Sequence, residues 1–244
     1  MKEIACDVLF EKGHTIAEKI FEGVTYPYEV LPKISEFILE LGKTLPADKF
    51  ECREDNIWIA KSASVAPSAY IHGPAIIDEE AEIRHCAFIR GNAIVGKGAV
   101  VGNSTELKNV ILFDKVQVPH YNYVGDSVLG FKSHMGAGSI TSNVKSDKTL
   151  VVIKSGEGKI ETGLKKNGSD FGRLCGSWMW QYFKSGFYYR SKQQCISIVQ
   201  CSRSDTGWQH LQKTGRSRLE TLTKMSKYCM LFKYRNKILK GVMT

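Results

Sequence analysis

Long apolar runs are missing from this 244-residue chain. A bilayer-spanning helix needs about 20 consecutive apolar residues, and no basic segment followed by an apolar one resembles a signal peptide. A soluble, cytoplasmic protein with no membrane partner is therefore expected. A glycine-rich nucleotide-binding loop after an N-terminal strand, ending in a basic residue, is also absent, which excludes a nucleotidyl-transfer domain of that type. The 7 cysteines lack zinc-finger spacing: Cys195 and Cys201 have only His210 nearby. Disulfides are not expected in a cytoplasmic chain. Acidic residues are scarce only at one end. Residues 1–166 hold 20 Lys and Arg against 22 Asp and Glu, whereas residues 167–244 hold 14 against 3, so the whole formal excess of +9 lies in the tail.

What is present is a repeat of six. Aliphatic residues stand at Ile59, Val65, Ile71, Ile77, Ile83, Ile89, Val95, Val101 and Leu107. Two positions before most of them is a small residue: Ala63, Ala69, Ala75, Ala81, Ala87, Ala93, Ala99 and Thr105. Six residues are three strand pleats, so the aliphatic side chain always points inward while the small one lets the chain turn a corner. Three hexads close a triangular coil, and stacked coils make an all-β, parallel β-helix expected over residues 56–166. Residues 1–50 read differently, with apolar residues at helical spacing in Ile16, Ile20 and Phe21 and again in Ile34, Phe37, Ile38 and Leu41. Pro27, Pro32 and Pro46 punctuate these two short helices, and 46–56 reads as a polar connection.

The basic tail, 167–244, carries three of the 4 Trp and four of the 7 Cys. Clustered cations with aromatic residues are one footprint of nucleic-acid binding. The genetic code favours another origin. Trp178-Met179-Trp180-Gln181 must be encoded TGG ATG TGG CAR, which one base later reads Gly-Cys-Gly. In the same shifted frame Phe183 to Gly186 permits Leu-Asn-Pro-Gly, and Tyr189 to Val199 permits Ile-Gly-Arg-Asn-Ser-Asn-Val-Tyr-Pro-Leu. Asn167 to Phe171 permits Met-Gly-Ala-Ile-Leu, given one extra A in the Lys165-Lys166 codons. These are hexad segments, so the tail is expected to be an out-of-frame translation, with no nucleic-acid partner. The last coil, near Thr149 to Ile160, would then end the stack.

Between residues 118 and 143 the hexad loses phase, through Val118-Pro119-His120-Tyr121-Asn122-Tyr123-Val124-Gly125-Asp126 and His134-Met135-Gly136-Ala137-Gly138-Ser139-Ile140-Thr141-Ser142-Asn143. A scaffold alone does not ask for irregularity, so chemistry is sought there. Arg90 and Lys108 are one coil apart and stack on one face, where an anion between them would relieve their repulsion and Glu106 could also do so. An imidazole suits proton removal from an attacking amine, which leaves His120 a general base or a hydrogen-bonded structural histidine. His72 and His85 read as solvated or corner residues. Their spacing does not match a coil, and no metal is expected.

Arg90, Glu106, Lys108, His120, Tyr123 and Asn143 fall at intervals that resemble those of the hexapeptide-repeat acyltransferases. The likeness is to the acetyltransferase domain of the bifunctional N-acetylglucosamine-1-phosphate uridyltransferase/glucosamine-1-phosphate acetyltransferases and to UDP-N-acetylglucosamine pyrophosphorylase-like proteins. That resemblance implies a left-handed β-helix, a homotrimer with sites between subunits, and acetyl-CoA as acyl donor. It implies an amino-sugar phosphate or nucleotide sugar as acceptor. By the same resemblance Arg90 and Lys108 hold phosphate, His120 is the base, and Tyr123 and Asn143 contact the sugar. Lys148 approximates a second phosphate-proximal lysine, Glu106 orients a basic neighbour, and Ala137 lies beside the acetyl-CoA channel. Val144 stands where the family has tyrosine and His134 where it has asparagine. The other functions open to the sequence are a non-catalytic sugar-nucleotide-binding or regulatory module of a nucleotidyltransferase, and an inactive frameshifted product.

Overall fold

The computed structural model describes residues 2–155, 158–172, 174–177, 182–183, 187–189 and 194–195. Most of the expected tail, residues 196–244, thus lies outside the described residues.

The N-terminal part holds two α-helices, α1 (Cys6–Leu9) and α2 (Ile34–Thr44), with short 3-10 turns between them. Ile16, Ile20 and Phe21 fall on or beside one such turn, Glu18–Phe21, and not on a full helix. Gly13 at φ +77 and Gly23 at φ +71 bracket the turn in a backbone region that breaks helices. Helix α2 buries Ile34, Ile38 and Gly42, one face at a spacing of four. A Cβ on Gly42 would come within 2.4 Å of the Trp58 ring, so glycine lets the helix lie against the first coil.

The coils follow. In chain order the strands are β1 (Phe50–Arg53), β2 (Ile57–Ala60), β3 (Ser64–Val65), β4 (Tyr70–Ile71), β5 (Ala75–Ile77), β6 (Glu82–Ile83) and β7 (Phe88–Ile89). Next come β8 (Ala93–Val95), β9 (Val100–Asn103), β10 (Glu106–Leu112), β11 (Gln117–His120), β12 (Tyr123–Leu129) and β13 (Ile140–Thr141). Parallel pairing runs β2-β5-β8-β10-β12 on one face and β3-β6-β9-β11 on another. A third runs through β4, β7 and the start of β10. This is a solenoid of stacked coils, with no helix between Ala63 and Leu107. Corners are turned by residues in the left-handed region, among them Cys86, Asn92, Ser104, Asn109, Tyr121 and Asp126.

The hexad aliphatics face inward. Ile77, Ile89, Val95, Val101 and Leu107 are wholly buried, each worth about 1.5–3 kcal/mol of burial. Val65 and Ile71 are only half-buried, because the first coil has no coil beneath it. Strand β1, in the segment expected to be a polar connection, pairs antiparallel with β2, Phe50 opposite Ala60. It covers an edge that would otherwise offer unpaired backbone groups.

The expected final coil at Thr149 to Ile160 is not a coil. Val152–Ser155 (β14) and Gly158–Glu161 (β15) form an antiparallel hairpin that leaves the solenoid after β13. Val144 and Lys166 form an antiparallel bridge at its base. Val151 and Ile153 bury their apolar side chains within this excursion. Solenoid pairing then resumes beyond Lys166. Strand β16 (Ser169–Phe171) pairs with β12, Phe171 opposite Leu129, and β18 (Tyr182–Phe183) pairs with β13. Strand β19 (Phe187–Tyr189) pairs with β16, and β17 (Gly176–Ser177) with β20 (Gln194–Cys195). The expected end of the stack at Lys166 is therefore corrected: backbone pairing does not require the hexad, and Phe171 and Cys175 supply buried apolar side chains.

The resumed coil carries one anomaly. Ile76, Ile94, Ile111 and Val128 form a buried column in register. With Phe171 opposite Leu129, the next position in that column is Asp170, which is wholly buried. Its Oδ1 accepts a 2.7 Å hydrogen bond from the Val128 amide. Burial pushes its carboxyl up to about 7, against the opposing pull of the hydrogen bond from the Val128 amide. Among the described residues no helix is long and apolar enough to cross a membrane.

Candidate active site

The solenoid step brings residues distant in sequence onto one outer face. Glu106 and Lys108, on β10, stand opposite Tyr123 and Gly125 on β12. Arg90 follows β7, its amide bonded to the Leu107 carbonyl. Alternate residues of a strand point to opposite sides, so while Leu107 and Val124 enter the core, Glu106, Lys108 and Tyr123 point outward.

Each cation has its own carboxylate. Arg90 Nη1 donates to Glu106 Oε1 at 2.6 Å, with the two side chains 46% and 31% exposed. That hydrogen bond raises the guanidinium pKa further. Lys108 Nζ donates to both oxygens of Asp126 at 3.0 Å. Of the two ways expected to relieve Arg90 and Lys108, an anion or Glu106, the structure shows Glu106 taking Arg90, with Asp126 taking Lys108. Lys108 keeps 24% of its side chain exposed, against 5% for Asp126.

Asn143 completes the cluster. Its Nδ2 donates to the Tyr123 hydroxyl at 3.0 Å and to Asp126 Oδ2 at 2.6 Å. Burial raises the Tyr123 pKa, with the Asn143 hydrogen bond opposing it, so the phenol stays protonated near neutrality. Gly125 makes room for the pair: a Cβ there would sit 2.5 Å from the Tyr123 hydroxyl and 2.8 Å from Asn143 Nδ2.

His120 ends β11 and is exposed. Its amide donates to Asn122 Oδ1 at 3.1 Å and its carbonyl accepts from the Gly138 amide at 3.0 Å. Asn122, buried, donates from Nδ2 to the Gly136 carbonyl at 2.7 Å. The Gly136-Ala137-Gly138 run is thus fastened to the corner that carries His120. His134 stands close enough to His120 for its charge to act there: burial and then that charge lower the His134 pKa. His134 Nδ1 lies 3.3 Å from Gln117 Oε1.

Of the residues singled out by sequence, Arg90, Lys108, Tyr123 and Asn143 share this outer cluster, and His120 and Ala137 share the adjoining corner. Lys148 does not join them. It is exposed on the excursion, and its side chain takes no part in the hydrogen bonding of the cluster. His72 and His85 are both exposed, beside Asp55 and Ser68 respectively. Among the described residues no group of three or more His, Cys, Asp or Glu could hold a metal. Asp126 and Asn109 carried no signal in the sequence. Asn109 Nδ2 donates to Asp126 Oδ1 at 3.0 Å, and Asp126 occupies a corner at φ +48.

Known proteins carry related sequence. Residues 71–156 match the family model described as the GMPPB C-terminal domain. Over 72 residues the chain is 38% identical to the bifunctional protein GlmU of Methanococcus maripaludis, covering 30% of this chain and 17% of that protein. The chain resembles the GlmU proteins. A second relative, the bifunctional sugar-1-phosphate nucleotidylyltransferase/acetyltransferase of Sulfurisphaera tokodaii, is 32% identical over 72 residues, 30% of this chain and 18% of that protein. The likeness to GlmU thus spans under a fifth of the relatives' length. Among solved structures, a hexapeptide transferase family protein from Anaplasma phagocytophilum aligns over 64% of this chain and 84% of its own, at 16% identity and a TM-score of 0.43.

Proposed function

We propose that this chain is an acyltransferase that moves the acetyl group of acetyl-CoA to the amine of an amino-sugar phosphate or nucleotide sugar. The observation that carries this reading is the outer cluster: two cations, a phenol and an amide on one face, next to an exposed histidine at the turn from β11 to β12. Arg90 has five N–H donors and gives one to Glu106, so its exposed edge can take phosphate oxygens as a planar fork. Lys108 adds a point charge. Tyr123 and Asn143 face the sugar.

His120 removes the proton that the amine must lose as its nitrogen attacks the thioester carbonyl carbon. The C–N bond forms, the tetrahedral centre collapses, and the C–S bond breaks. The departing CoA thiolate takes the proton back from His120. The Gly136-Ala137-Gly138 run, tied to the same corner, lines the acyl side of the site. The acetyltransferase half of the Sulfurisphaera relative's name supports this class of reaction. A homotrimer belongs to the proposal, and the exposed apolar Tyr70 and Phe88 beside the cluster would be covered by a neighbouring copy.

The test is release of CoA thiol from acetyl-CoA, followed by a chromogenic disulfide, with glucosamine 1-phosphate as amine. Amine-dependent release that His120→Ala lowers by about 10²- to 10⁴-fold supports the reading. Binding of sugar phosphate without thiol release would instead favour a non-catalytic sugar-nucleotide-binding module.

A further inference from the structure

Asp126 stands at the centre of the cluster and has no role in the reaction just described. Its carboxylate receives Lys108 Nζ on both oxygens, Asn109 Nδ2 on Oδ1 and Asn143 Nδ2 on Oδ2. Asn109 Nδ2 also reaches the Leu31 carbonyl at 3.3 Å, which ties the group to the N-terminal part. A 5%-exposed carboxylate with four such contacts is held rigidly.

The pattern of donors has a consequence for Asn143. An ionised carboxylate only accepts, so the group that Asn143 turns toward Asp126 must be its NH₂. One Nδ2 proton goes to Asp126 Oδ2 and the other to the Tyr123 hydroxyl. The amide oxygen, Oδ1, is left as the face available to a ligand. Tyr123, having accepted from Asn143, keeps its own O–H to donate. The site therefore offers one fixed acceptor and one fixed donor beside Lys108.

We propose that Asp126 is a positioning residue for the acceptor sugar: it locks the Asn143 amide with its oxygen outward and fixes Lys108 at the same time, so that hydroxyl and phosphate of one ligand are read together. This rests on the acyltransferase reading above. Without the carboxylate the amide is free to turn over, and its NH₂ then meets a sugar hydroxyl proton.

The experiment compares the full wild-type chain with Asp126→Asn and Asp126→Ala. Asparagine tolerates the φ of +48 at this corner, whereas alanine strains it, so Asp126→Asn is the variant expected to fold. With glucosamine 1-phosphate and acetyl-CoA, Asp126→Asn should raise the KM for the sugar about 10- to 100-fold, with kcat within about 3-fold and the KM for acetyl-CoA unchanged. A merely structural role would move both KM values together, and that result, or an unchanged sugar KM, overturns the proposal. If neither the wild-type chain nor the chain encoded with one A fewer in the Lys165-Lys166 codons releases thiol with any amino-sugar phosphate or nucleotide sugar, the acyltransferase reading has failed. Calorimetric titration with glucosamine 1-phosphate then decides on Asp126 alone. Binding at least tenfold weaker in Asp126→Asn supports it, and equal binding, or none by the wild type, overturns it.

Discussion

Replacing Asp170 by asparagine should make the fold less sensitive to alkali. Asp170 is wholly buried in a column otherwise built from Ile76, Ile94, Ile111 and Val128, and its carboxyl is pushed up to about 7 from an ordinary 3.8, chiefly by burial. The folded state therefore holds this proton more tightly than the unfolded state. Below 3.8 both states are protonated and the group is neutral in its effect on stability. Between 3.8 and about 7 the unfolded chain releases the proton while the folded chain keeps it, so stability falls as pH rises, by about 1.4 kcal/mol per pH unit. Above about 7 the loss is complete, on the order of 4 kcal/mol. The carboxamide of Asp170→Asn would keep an acceptor for the Val128 amide and remove the ionisation. Urea denaturation of both chains from about pH 4 to about pH 8 measures the difference directly. Asp78, which burial pushes up to about 6, contributes equally to both and cancels. The midpoints should diverge as pH rises, with the variant ahead at the alkaline end, and Asp170→Ile should be more stable still at neutral pH. Parallel curves for wild type and Asp170→Asn would refute the buried placement of this carboxylate.

On the proposed reading Arg90→Ala should raise the KM for a phosphorylated acceptor with kcat little changed, because the guanidinium would bind phosphate in ground and transition states alike; a fall in kcat alone would contradict that role. Gly125→Ala should separate Tyr123 from Asn143, since the added Cβ meets both below 3.0 Å, and weaken glucosamine 1-phosphate binding in calorimetry by about tenfold with the coil intact. Titration unchanged from wild type would mean that the pair does not contact sugar. For residues 167–244 we propose an out-of-frame translation. The nucleotide sequence one base on should read Gly-Cys-Gly over Trp178–Gln181 and continue in hexads, and an early stop there would dismiss the idea.

The solenoid was legible because a side chain every six residues has one physical solution: Ile77, Ile83, Ile89, Val95, Val101 and Leu107 all reach the core. The phase slip was legible only in part, since the sequence put it at 118–143 and the structure puts it between Leu107 and Leu112. The coil step is eighteen residues from Ile77 to Val95 and seventeen from Val95 to Leu112, and the irregular stretch that follows holds His120, Tyr123 and Asn143. Two things were missed. The excursion at Val152–Glu161 carries Val152, Ile153 and Ile160, apolar residues that a coil strand would also use, and the antiparallel pairing direction distinguishes the hairpin from a stack. Asp126 was missed although Lys108, Asn109 and Asn143 lie seventeen or eighteen residues away, one coil before or after it, because the coil step was applied only to the cations Arg90 and Lys108. The shifted reading frame and the structure meet at Asp170, where the alternative codons permit isoleucine in a column of aliphatic side chains.

Thiol release from acetyl-CoA in the presence of glucosamine 1-phosphate tests the central claim most directly. It should be measured on the chain as it stands, on the chain encoded with one A removed from the Lys165-Lys166 codons, and on His120→Ala in each. The account predicts amine-dependent release in the frame-corrected chain, lowered about 10²- to 10⁴-fold by His120→Ala with the fold retained. Undiminished release in the His120 variant, or no release from either chain with any amino-sugar phosphate, would contradict it.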